Sequence, residues 1–165
     1  MDLSARLVTA QPADIEAEIT AALTSILDFF GADRCGLVAI DLERRTAHVS
    51  HAACTDGVPF VPPDLNLAPL FPWVFARILD LAANADATSV IRLEDLPADA
   101  PVDRATCAAY GVRTNLTIPI RTANRVRHLL SVHWTRDIVA ADQLIARWTR
   151  SAIASTRRTP TSSSR

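Results

Sequence analysis

The sequence predicts an α/β chain of the α+β kind, and three observations carry that expectation. Residues 113–121 and 126–134 are β-rich runs around a short polar link, the pattern of an antiparallel hairpin turning at Ala123-Asn124. Near the start, Ile15, Ile19, Ala22, Ile26 and Phe29 recur at alternating steps of four and three, a heptad seam that Leu23 and Phe30 widen into a helix face. Between these, residues 54–70 hold Gly57, Pro59, Pro62, Pro63 and Pro69, and a stretch so short of amide donors belongs in a long ordered loop rather than a sheet interior.

Taken in order, residues 1–11 form a flexible lead-in to a domain over 12–157. Pro12 suits a first helical turn, and Asp14, Glu16 and Glu18 put negative charge at the positive end of the helix dipole. Gly31 ends this helix. Residues 34–40 read as a buried strand and 46–51 as its partner, joined by the polar link 41–45. After the loop, Pro72 opens a second helix with Phe71, Val74, Phe75, Ile78, Leu79 and Ala82 on its apolar face. Residues 88–93 predict a short strand broken at Leu96-Pro97, and 101–110 a short helix stopped by Gly111. Beyond the hairpin, residues 140–156 predict a last helix with Leu144, Ile145, Trp148 and Ile153 on its apolar side, followed by a disordered polar tail at 158–165.

Composition narrows the function classes. A chain of 165 residues with 49% hydrophobic and 21% charged residues suits one globular core. All 17 basic residues are arginine, and a net charge of −1 supplies no field to gather nucleic acid or an anionic membrane. No apolar run approaches the roughly 20 residues of a membrane span. Met1-Asp2-Leu3-Ser4 lacks the flank of a signal peptide, and three cysteines without a CxxC pair predict reduced thiols in a cytoplasm.

Four stretches together resemble a GAF domain, most of all the GAF modules of bacterial PAS/GAF sensor histidine kinases. They are Gly31-Ala32-Asp33-Arg34-Cys35, Phe71-Pro72-Trp73, Leu93-Glu94-Asp95-Leu96-Pro97 and the segment from Gly111 to Ile120. The resemblance implies a GAF-like sandwich. Its antiparallel sheet would carry the N- and C-terminal helices on one face, with loops and short helices over a small-molecule pocket on the other. It implies a non-catalytic sensory or regulatory module of a two-component system, with a possible signalling effector domain as partner. The sequence departs from family patterns in three places. Its hairpin link has no glycine, leaving Asn124 as the left-handed residue. The Asn-Lys…Phe…Asp-Glu constellation of cyclic-nucleotide-binding members is absent, as is the Cys-His dipeptide of bilin attachment. The cofactor is therefore unknown, with no covalently attached bilin and no metal expected.

Candidate residues follow from strand alternation. Asn115 and Thr117 share one face of the first hairpin strand, and Ser131 and His133 one face of the second; these polar groups either orient a ligand or line a solvated sheet face. Trp73 lies off the apolar face of its helix, where it could line a pocket roof. His48, His51 and Cys54 invite a zinc reading, but residues three apart on a strand point oppositely, which favours ordinary strand histidines. Cys54, on a loop, is the one cysteine placed for thiol chemistry, and the enzymatic alternative is a thiol-dependent free-methionine-sulfoxide reductase. Arg147, Arg150, Arg157 and Arg158 suit a helix C-terminus better than nucleic acid. The seam Ile15, Ile19, Ala22, Ile26 and Phe29, with Trp148, predicts a parallel homodimer; a ligand-free dimerisation module is the alternative to a sensor.

Overall fold

The computed structural model describes residues 12–59, 61–83, 89–122 and 125–138, together with Gln143 and Ala146, both helical. The remaining positions lie outside the described residues. They include the hairpin turn Ala123-Asn124 and, with Trp148, most of the expected last helix and the arginines there. Helix α1 (Pro12–Phe30) leads into β1 (Arg34–Asp41) and β2 (Thr46–Cys54). The loop follows, then α2 (Pro72–Ala83), β3 (Ser89–Arg92), a single 3-10 turn (Leu93–Asp95), α3 (Pro101–Ala109) and the hairpin β4 (Thr114–Thr122) and β5 (Arg125–Trp134). The five strands form one antiparallel sheet in the order β2-β1-β5-β4-β3. This is the GAF-like α+β arrangement. The third strand ends one residue earlier than its apolar run suggests, because Leu93 opens the 3-10 turn.

Two of the helix-to-strand joints, at Gly31 and at Gly111, use one device. Gly31 follows α1 at φ +57°, and Ala32 N–H returns to Leu27 O at 3.0 Å. Gly111 follows α3 at φ +65°, and Val112 N–H returns to Cys107 O at 2.8 Å. These left-handed caps satisfy the last carbonyls of each helix, and only glycine enters that region freely. Each joint is then clamped to the segment after β5 by an ion pair, Asp33 with Arg136 and Arg113 with Asp137.

Alternation sorts the sheet into two faces. Leu116, Leu130, Val132 and Trp134 pack against Leu23, Leu27 and Phe30 of α1, with Cys35 and Ala32 alongside. Trp134 stands edge-on to Phe30 and donates its indole N–H to Gly31 O at 3.1 Å, so the largest buried side chain is also hydrogen-bonded. Leu27 belongs to this buried stripe although it lies outside the heptad seam. The seam residues Ile15, Ile19, Ala22, Ile26 and Phe29 are half-buried beside it, and Ile19, Ile26 and Phe29 pack onto this same core.

On the other face the loop and α2 form a roof tied down at two places. Asn66 Oδ1 accepts from Ala47 N–H and Ala68 N–H, both at 3.1 Å, and Leu67 N–H donates to Ala47 O at 2.8 Å. Asp103 of α3, fully buried, accepts from Trp73 N–H and Val74 N–H at 3.1 and 2.9 Å, which caps the start of α2. Asp103→Ala should leave two amides without acceptors and lower stability by about 1–3 kcal/mol, with Asp103→Asn closer to the parent. Urea unfolding followed by tryptophan fluorescence measures both.

Candidate functional site

The roofed face of the sheet is polar at one end and apolar at the other, because successive rows of cross-strand partners alternate in a fixed register. One row runs Cys54, Arg34, His133, Asn115, Ile91 from β2 to β3. The next runs Ala52, Gly36, Ser131, Thr117. Beyond them Val49, Val38 and Leu129 carry the apolar floor. Above these rows, Val61, Leu67, Phe71, Val74, Phe75 and Ile78 face down from the roof, with Leu96, Cys107 and Tyr110 closing one side. The space enclosed is a cavity of about 100 Å³.

The structure brings Asn115, Thr117, Ser131 and His133 together on this floor, in one hydrogen-bonded run. Thr117 Oγ1 donates to Asn115 Oδ1 at 2.7 Å, and Asn115 Nδ2 donates to Ser131 Oγ at 3.0 Å. Ser131 Oγ lies 3.0 Å from His133 Nε2. A hydroxyl that already accepts from Asn115 completes the run by donating to Nε2, which leaves the imidazole proton on Nδ1. Nδ1 is buried without a partner. Burial and the charge of Arg34 opposite push the His133 pKa down to about 3, so the ring is neutral.

Trp73 takes a different place. Its backbone is fixed by Asp103, its ring lies 5.0 Å from the Arg77 guanidinium, and it does not line the cavity; Phe71 and Val74 on either side do. Arg34 and Gly36 line the cavity although no sequence motif singles them out. A signal for them exists, since Arg34, Gly36, Val38 and Ile40 alternate along β1 on one face.

Two readings, the strand parity of His48 and His51 and the loop placement of Cys54, are corrected. A bulge lets Leu37 pair with His51 and Val38 with Val49, so Ser50 is the extra residue and His48 and His51 share the α1 face. There His51 Nε2 meets Glu16 at 2.9 Å. Cys54 is the last residue of β2 rather than a loop residue, and it sits on the opposite face from those histidines. Among the described residues no group of three or more His, Cys, Asp or Glu is arranged to hold a metal.

The thiols are held in their protonated form. Burial, with Cys54 nearby, pushes Cys35 up to about 12; burial and Asp103 push Cys107 up to about 11. Burial also raises Cys54, although the charge and hydrogen bond of Arg34 pull it partly back. A reductase needs an activated thiolate, and these environments work against one.

No protein-family model matches the chain, and no curated protein does. Solved structures do. The phycoerythrobilin-bound GAF domain of a cyanobacterial phytochrome superposes with a TM-score of 0.68 at 18% identity, over 94% of this chain and 92% of that one. The phycocyanobilin-bound GAF domain of a cyanobacterial phytochrome gives 0.64 at 20% identity, over 92% and 90%. The GAF domain of a two-component sensor histidine kinase from Bacillus halodurans gives 0.59 at 18% identity, over 81% and 86%. The chain therefore has the GAF-domain fold. The likeness to bilin-bound domains overturns the expectation, drawn from the missing Cys-His dipeptide, of no covalently attached bilin.

A histidine whose folded pKa lies near 3 binds its proton in the unfolded chain first, below the ordinary value of 6.5. Its neutral form thus contributes stability above pH 6.5 that is lost progressively as pH falls toward 3. Imidazole NMR shifts of His133 should stay those of the neutral ring at pH 5, while His133→Gln should flatten the acid limb of the stability curve.

Proposed function

We propose that this chain is a non-catalytic sensory module of a signalling protein, which binds a small molecule between the sheet and its roof. The observation that carries this reading is the cavity itself. A polar run of side chains floors one end, apolar walls surround the rest, and the roof is held by hydrogen bonds at Ala47 and Asp103. Apolar walls supply affinity and a few converging polar groups fix orientation. Sensory GAF domains among the similar structures support the same reading.

A ligand would act through the roof. Binding that favours one position of α2 over another shifts the balance between the two by its differential affinity, and by no more than that. The cavity of about 100 Å³ is smaller than the roughly 300–1,000 Å³ of drug-sized sites, so a tetrapyrrole would have to displace the roof, whereas a compact ligand would not. The similar bilin-bound domains make phycocyanobilin and phycoerythrobilin the first compounds to try, alongside nucleotides and amino acids.

The test is built on Gly36. A methyl added there meets only ordinary contacts, the nearest being His51 O at 3.5 Å, so Gly36→Ala should keep or slightly raise stability, by up to about 1 kcal/mol. Gly36→Leu fills the floor. A compound that raises the melting temperature of the parent and of Gly36→Ala, but not of Gly36→Leu, binds in this cavity; an effect that persists in Gly36→Leu would place binding elsewhere.

A second copy of the chain is the partner we propose for α1. The strip Ile15, Ile19, Ala22, Ile26 and Phe29 is half-buried in one chain, leaving apolar surface that a second helix would cover. Sedimentation at tens of micromolar should show a dimer, and Ile15→Glu, outside the core cluster, should shift it to monomer.

A further inference from the structure

Arg34 lies at the sheet's polar end and is 4% exposed, yet it has no carboxylate partner among the described residues. Its Nη2 donates to Tyr110 O at 2.9 Å, while Nε and Nη1, both buried, have no nitrogen or oxygen partner. A guanidinium does not shed its proton, so this is a permanent buried cation with free donors. The neighbours do not balance it. Asp33, next in sequence, is held by Thr135 and Arg136. The Cys54 thiol opposite stays protonated and offers only a weak sulfur acceptor, and His133 on the other side is a neutral ring whose Nδ1 is also unpartnered. Arg34 and His133 are directly paired across the β1–β5 ladder, and both line the cavity.

Resting on the reading of this cavity as a ligand site, we infer that its ligand is a compact apolar carboxylate, whose acid group sits between Arg34 and His133. One cation matches one negative charge, and an unpartnered guanidinium N–H of Arg34 meets one oxygen of the carboxylate. The His133 Nδ1–H meets the other. A phosphate dianion would bring a second charge and further oxygens into a wall that offers no more donors, against the cost of burying unpaired charge. The apolar body lies over Val38, Val49, Leu129 and Phe75, in a space that holds roughly one ring or a short chain.

Matched acid and amide pairs test the assignment on the unmodified protein: phenylacetate against phenylacetamide, and hexanoate against hexanamide, by calorimetry and by the His133 imidazole shift. The acids should bind at least tenfold more tightly than their amides and move the His133 signal. Arg34→Gln should remove that preference, weakening the acids far more than the amides. Amides that bind as well as the acids would overturn the carboxylate assignment and leave the cavity reading standing. Binding of neither class would overturn both. Should Arg34→Gln fail to fold, the acid–amide comparison on the parent protein still separates these outcomes.

Discussion

The register between β1 and β5 is the constraint on which the other features depend. These two strands lie at the middle of the sheet, and Arg34 faces His133, Gly36 faces Ser131 and Val38 faces Leu129 on the roofed side. On the other side Cys35 meets Val132, each wholly buried. Sliding β5 by a single residue would send Trp134 and Val132 toward the roof and His133 into the apolar layer beneath α1, and sliding β1 would send Arg34 there. Burial of a guanidinium among leucines and phenylalanines is so unfavourable that the register has no close competitor. The same alternation that builds the core thus gathers the polar groups of the cavity.

The edges of the sheet tolerate more freedom, and the bulge in β2 shows it. By taking up Ser50 as an extra residue, β2 turns Val49 and Ala47 to the roofed face while keeping Ala52 there too. Ser50 Oγ finds its own acceptor, donating to Leu37 O at 2.9 Å. His48 and His51 both end up beside α1, where His51 and Glu16 tie the helix to the edge of the sheet. A bulge that re-aims side chains next to a cavity is a common use of this irregularity.

Much of this is readable in the sequence, and the limits have identifiable causes. The hairpin, both glycine stops, the proline-rich loop and the inward parity of Asn115, Thr117, Ser131 and His133 follow from local rules that act within one strand or one turn. Arg34 does not stand out there because a charge at the mouth of a strand ordinarily faces water; its burial is decided by the roof and by Tyr110, the latter 76 positions away in the chain. For Trp73, helical periodicity gives a direction but not the neighbour, here Arg77. The histidines of β2 defeat strand parity because a bulge is written in the pairing of two strands, not in the alternation of one.

The clamp behind Trp134 has a mechanical meaning. Gly31 O receives both the Trp134 indole and the Arg136 guanidinium, while Asp33 takes the Thr135 amide at 2.7 Å and Thr114 Oγ1 accepts from Ile138 N–H at 3.2 Å. The end of α1, the beginning of β1 and the first residues after β5 are therefore one rigid knot. A torque on α1 at this end meets no swivelling joint: residues 31–33 are keyed to residues 134–136, as a shaft is to its coupling.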